Sequence, residues 1–132
     1  MADIFTNIED SSGNIHDTPW VRGDAAGTVT ITLTSDDDWP ASAESNTWEM
    51  WVDEHSAGGT PDVKITADSA SIQAGDSTKL DVTFSPTADE TESIGGTGEI
   101  WADADIKEET GSGIYTTRAH GKVHVVDSPG GG

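Results

Sequence analysis

The chain predicts an all-β fold, an antiparallel β-sandwich of about seven to nine strands with one short helical turn. Three observations carry that prediction. Apolar and polar residues alternate strictly in several short runs, turn-forming clusters separate the runs at regular spacing, and no long stretch repeats with the period of a helix. At 132 residues the chain falls in the size range of one domain and can bury roughly two thirds of its unfolded surface.

The elements follow in order. Residues 27–34 read G-T-V-T-I-T-L-T, which puts Val29, Ile31 and Leu33 on one face and threonines on the other, the pattern of a half-buried antiparallel strand. Residues 46–53 repeat it, with Trp48, Met50 and Val52 inward and Glu49, Trp51 and Asp53 outward. Val63, Ile65 and Ala67 mark a third short strand. In 78–85 the inward set is Leu80, Val82 and Phe84, and in 99–106 it is Ile100, Ala102, Ala104 and Ile106, with Trp101, Asp103 and Asp105 opposite. A last pair of strands is expected at 114–120 and 122–126, parted at Gly121. The turns between them are 35–38, 56–61, 73–76 and 110–113, rich in Ser, Asp, Gly and Pro. Residues 86–93 open on Ser-Pro and carry Asp89, Glu90 and Glu92, acids that suit the positive end of one helical turn.

The domain plan is an N-terminal extension or edge hairpin at 1–19, a sandwich at 20–127 and a Gly-rich tail at 128–132. The opening residues Met1 to Phe5 show no basic stretch followed by an apolar run, so a signal peptide is not expected. No run approaches the roughly 18 apolar residues of a membrane helix. Without cysteine there is neither a disulfide framework nor a thiolate site.

The formal net charge is −19, from six Lys and Arg against 25 Asp and Glu. Such a surface repels nucleic acid and anionic membranes, and neither is expected as a partner. The acids are spread among Val, Ile, Leu and Trp rather than gathered in a tail, so they belong to a folded exterior. With a Debye length of about 8 Å at 0.15 M salt and about 3 Å at 1 M, their repulsion is tolerable in ordinary buffer and nearly gone in brine. The composition resembles that of proteins from salt-accumulating halophiles.

Little in the chain points to catalysis, and no cofactor is expected. The histidines are His16, His55, His120 and His124, and no G-x-S-x-G elbow accompanies them. His120 and His124 are four apart, but with a turn between two strands that spacing does not set both rings on one face. Asp103, Asp105, Glu108 and Glu109 are the best candidates for a calcium site, although they lack the D-x-D-x-D-G spacing that wraps the ion. Of the five tryptophans, Trp48 is in phase with the core, whereas Trp51 and Trp101 point outward. Those two, with the apolar Ile4, Phe5 and Ile8 of the extension, are the interface candidates, because exposed aromatics mark contact sites. Outward tryptophans also keep carbohydrate binding or host adhesion as an alternative. Arg22-Gly23-Asp24 reads as a turn into the sheet rather than an adhesion motif.

One set of segments suggests a relationship: V-R-G-D from Val21, T-V-T-I-T-L-T-S-D-D-D from Thr28, A-G-D-S-T-K-L-D-V-T-F-S-P-T from Ala74 and I-Y-T-T-R-A-H-G-K-V-H-V-V from Ile114. In this order, across residues 20–127, they resemble the immunoglobulin-like domain of tailed-virus structural proteins, including the N-terminal domain of phage baseplate upper proteins. The resemblance implies an immunoglobulin-like sandwich used for assembly and attachment, without cofactor or catalytic residues. Together with the acidity it implies a haloarchaeal tailed virus. The chain would then be a capsid decoration, turret or other accessory component of the virion, assembled in the host cytoplasm and bound to capsid or tail proteins and copies of itself.

Overall fold

The structure is a computed structural model, and residues 19–54 and 60–127 are described. Eight strands and two short helices follow one another: β1 (Trp20–Val21), β2 (Val29–Thr34), α1 (Ser42–Ser45), β3 (Trp48–Asp53), β4 (Val63–Thr66), β5 (Ser69–Gln73), β6 (Asp76–Phe84), α2 (Ala88–Glu92), β7 (Ile100–Gly111) and β8 (Ile114–Val126). One sheet has the order β1-β8-β7-β3-β4 and the other β2-β6-β5. Only β1 runs parallel to its neighbour, with Trp20 beside Val125 and Val21 beside Val126; the other pairings are antiparallel.

The alternation dictates which side faces in. Val29, Ile31 and Leu33 of β2 lie directly opposite Phe84, Val82 and Leu80 of β6, and all six are buried. From the other sheet Trp48, Met50 and Val52 of β3, Ala102, Ala104 and Ile106 of β7, and Val123 and Val125 of β8 close the same core. Removal of these side chains from water is the main term that holds the sheets together. Trp39 enters from the β2–β3 connection and meets Trp48 edge to face, ring centroids 5.9 Å apart. Both indoles give their N–H to backbone carbonyls: Trp39 to Leu33 and Thr78, Trp48 to Ala43 at 2.7 Å. That second bond ties α1, a helix the sequence did not announce, to β3.

The predicted helical turn is α2, closed by a reciprocal cap. The Thr87 hydroxyl accepts from the Glu90 backbone N–H at 3.1 Å, and the Glu90 carboxylate accepts from the Thr87 N–H at 2.9 Å. Two expectations need correction. The strands predicted at 114–120 and 122–126 are one continuous strand, because Gly121 faces Ala104 across the ladder and the close approach of two small residues favours pairing there rather than a turn. The short β5 was not foreseen either; only Ala70 and Ile72 of its residues pack against the core, too few to stand out as a pattern.

A β-bulge in β8 has larger consequences. Ile106 pairs with Ala119 and Lys107 with Thr117, so Arg118 is the extra residue. Strict alternation would put Arg118 outside with His120. The bulge turns it inward instead, where its Nε donates to Glu108 Oε1 at 3.0 Å and both side chains are more than nine-tenths buried.

Arg22 is the second buried cation. Its guanidinium donates to the carbonyls of Ile94, Gly95 and Gly98 and to Asp127 Oδ1 at 2.6 Å, clasping the α2–β7 connection to the end of β8. The next two residues are equally occupied: Gly23 N donates to Thr91 Oγ1, which itself donates to the Asp24 carbonyl. The Arg-Gly-Asp segment is thus a structural clasp.

Candidate interaction face

The outward side of the five-stranded sheet gathers the chemistry that the rest of the exterior lacks. Pairing places Lys122 opposite Asp103, His120 opposite Asp105 and His124 opposite Trp101, while on the other flank Trp51 lies between Asp105 and Lys64, and Glu49 between Lys107 and Thr66. Three of the four lysines in the chain stand on this one face, Lys64, Lys107 and Lys122. The bonds between strands are short. Lys122 Nζ donates to Asp103 Oδ1 at 2.6 Å, His120 Nδ1 shares a hydrogen bond with Asp105 Oδ1 at 2.6 Å, and Lys107 Nζ donates to Thr117 Oγ1 at 2.6 Å.

Trp51 anchors one end. Tyr115 lies 5.5 Å from it between ring centroids, and the ammonium groups of Lys64 and Lys107 sit 4.2 Å and 4.5 Å from the ring centroid. A cation over a tryptophan face contributes about 0.5–1 kcal/mol at exposed sites. The indole N–H donates to Glu49 Oε1 and the Tyr115 hydroxyl to Glu49 Oε2, so one carboxylate fixes both rings. Withdrawal from water, and then the negative charge of Glu49 and Glu109, raise the Tyr115 hydroxyl above its ordinary pKa.

Trp101 anchors the other end, 41 % exposed. His124 stacks against it at 4.1 Å with 13° between the planes, and His124 Nε2 shares a 2.6 Å hydrogen bond with Glu99. One side of the indole is therefore occupied by imidazole. Ile114, at the tip of the β7–β8 hairpin, is the other exposed large apolar side chain among the described residues.

These positions revise several expectations. Trp51 is outward as the alternation required, yet half-covered by two lysines and a tyrosine rather than bare. His120 and His124 do share a face, because the uninterrupted β8 returns every second residue to the same side. The four proposed calcium ligands are not brought together. Glu108 points into the interior and accepts from Arg118 and Asn46, Glu109 accepts from the Gly113 N–H, and Asp103 and Asp105 point outward to the cross-strand Lys122 and His120, the imidazole of His120 lying near both. Among the described residues no three His, Asp or Glu are grouped to hold a metal. Ile4, Phe5, Ile8, His16 and His55 lie outside the described residues. Sequence reasoning overlooked Lys64, Lys107 and Tyr115, although the lysines on β4 and β7 are out of phase with apolar neighbours and could have been placed outward on that ground.

Strand order defines the class: an all-β sandwich of a five-stranded and a three-stranded sheet, with a short first strand parallel to the last and a buried tryptophan on a strand of the larger sheet. Comparison with known proteins finds no matching family model, no matching curated protein and no matching solved structure.

Proposed function

We propose that this protein is a structural component of a virus particle, a capsid decoration, turret or other accessory head or tail protein, working by protein–protein assembly in high salt. The observation that carries the reading is the outer face of the five-stranded sheet, where lysines and aromatic rings interrupt an exterior of net charge −19. Carboxylates on other surfaces, such as Asp38, Asp68 and Asp81, accept from hydroxyls that leave their charge uncompensated, and a partner approaching there would have to desolvate it. On this face Asp103 and Asp105 are already paired across strands, and Trp101 offers apolar area to bury. The segments from Val21, Thr28, Ala74 and Ile114 that resemble the immunoglobulin-like domain of tailed-virus proteins supply the virion half of the reading. Partners are then capsid or tail proteins and copies of the chain, with Trp51, Trp101 and the N-terminal Ile4, Phe5 and Ile8 as contact residues.

The test is incorporation. Particles assembled with a chain that lacks residues 1–19 and carries Trp51→Ser and Trp101→Ser are expected to lack this protein, whereas the unaltered chain is retained through purification. Equal incorporation of the two overturns the reading. The exposed ring of Trp101 beside Glu99 favours one alternative, a carbohydrate-binding or host-adhesion domain. Binding of host surface glycans by the isolated protein, lost in Trp101→Ser, would establish that alternative instead.

A further inference from the structure

Between the β2–β3 connection and the ends of β7 and β8 lies a cavity of about 530 Å3, open to solvent on one side. Trp39 borders it with the small part of its side chain that the core leaves uncovered, its indole N–H being already given to the carbonyls of Leu33 and Thr78. Glu108 and Arg118, the ion pair turned inward by the β8 bulge, line it too, with the Asn46 amide donating to Glu108 Oε2 at 2.7 Å. Asp37 and Asp38 also line it and are exposed, Asp38 Oδ1 accepting from the Ser77 hydroxyl at 2.6 Å.

Three properties select an occupant. The volume falls within the roughly 300–1,000 Å3 of binding pockets. The charged lining is three carboxylates against one guanidinium, and that guanidinium is already engaged by Glu108, so the lining as a whole attracts a cation. The apolar wall at Trp39 suits the aliphatic stem behind a cationic head. An opening on one side admits a side chain presented from a surface.

We propose that this cavity receives a lysine or arginine side chain, flanked by an apolar residue, from a partner protein. The cationic head sits between Asp37 and Asp38 while the stem and its neighbour pack on Trp39. The site is distinct from the outer sheet face and does not depend on the partner being a virion protein.

The experiment titrates the folded protein with acetyl-Ile-Lys-Ile-amide, and separately with acetyl-Ile-Glu-Ile-amide, while nitrogen–proton NMR follows the indole and side-chain amide signals. The lysine peptide, taken to about 10 mM, is expected to shift the Trp39 indole and Asn46 amide signals and leave Trp51 and Trp101 unmoved. The glutamate peptide is expected to shift none of them. Asp37→Asn with Asp38→Asn, exposed substitutions that leave the core intact, should weaken the lysine peptide about fivefold, and Asp36→Asn should not. An unmoved Trp39 signal, equal response to both peptides, or shifts confined to Trp51 and Trp101 overturns the proposal. The first two results leave the sheet-face reading untouched, since that face has its own reporters.

Discussion

Across the three-stranded sheet the outward positions include Thr30, Thr32, Asp81 and Thr83, and they bond across the strands: Thr30 with Thr83 at 3.2 Å, Thr32 donating to Asp81 at 2.7 Å, with Gln73 donating to Asp81 at 3.0 Å. Across the five-stranded sheet the outward positions hold tryptophan, tyrosine, histidine, lysine and acid. Both faces come from the same alternation, so both are equally good at covering a core. They differ in what they can offer a partner. Short hydroxyl side chains hydrate well and present little area, whereas Trp101 and the lysine-capped Trp51 present area and charge of both signs. The contrast teaches that fold and surface chemistry are chosen by opposite halves of one pattern.

The largest expected effect tests what lies beneath the aromatic face. Arg118→Ala leaves Glu108 ionised and buried without its guanidinium, and should destabilise the protein by about 3–5 kcal/mol, read by urea unfolding. Replacing both residues with apolar ones of similar size should recover most of that loss. If Arg118→Ala is neutral, the bulge is not holding the face in place.

Next comes salt, which should act most where acids lack cations. Between about 0.1 M and 2 M salt the melting temperature is expected to rise by on the order of 5 °C or more. A flat melting curve across that range would show that the exterior of net charge −19 is not under strain. Smaller still is the cation pair over Trp51. Lys64→Ala and Lys107→Ala should each cost about 0.5–1 kcal/mol and red-shift Trp51 emission, while Thr30→Val on the other face should stay within about 0.5 kcal/mol. Equal costs on both faces would erase the distinction.

The subtlest test is pH. The Gly98 N–H, and after it Arg22, hold the Asp127 carboxyl below its usual range. A lowered folded value means that the contribution is complete above the unfolded value near about 3.9 and fades as pH falls through the folded one. Carbon NMR of the Asp127 carboxyl should show that lowered midpoint, and Arg22→Lys, which cannot span the same carbonyls, should raise it. A midpoint that Arg22→Lys leaves unchanged would mean that Arg22 does not contribute to holding it down.

Much of this was legible beforehand, for reasons that can be named. The inward sets of β2, β3, β6 and β7 follow from parity alone, since successive side chains of a strand take opposite sides. Helix α2 was visible from its Ser-Pro start and acids. By contrast α1 is held by a tertiary bond from Trp48 to Ala43, and β5 by its place beside β6, so neither had a strong local signature. Gly121 looked like a break because glycine is a turn former, and only its position opposite Ala104 makes it part of a strand.

The candidate sites divide in the same way. That Trp51, Trp101, Asp103 and Asp105 face outward was written in the order of residues. That Lys64 and Lys107 cover Trp51, and that His124 covers Trp101, depends on the register between paired strands, which alternation does not specify. Arg118 shows the limit most clearly, because one extra residue in β8 reversed its side and moved a cation from the surface to the wall of a cavity. The sequence by itself determined an all-β sandwich with an acidic exterior, because period and charge are local properties of the chain. Which outward residues meet, and which polar pair is buried, was decided by the tertiary structure, because pairing register and bulges are settled only when strands compete for one shared core.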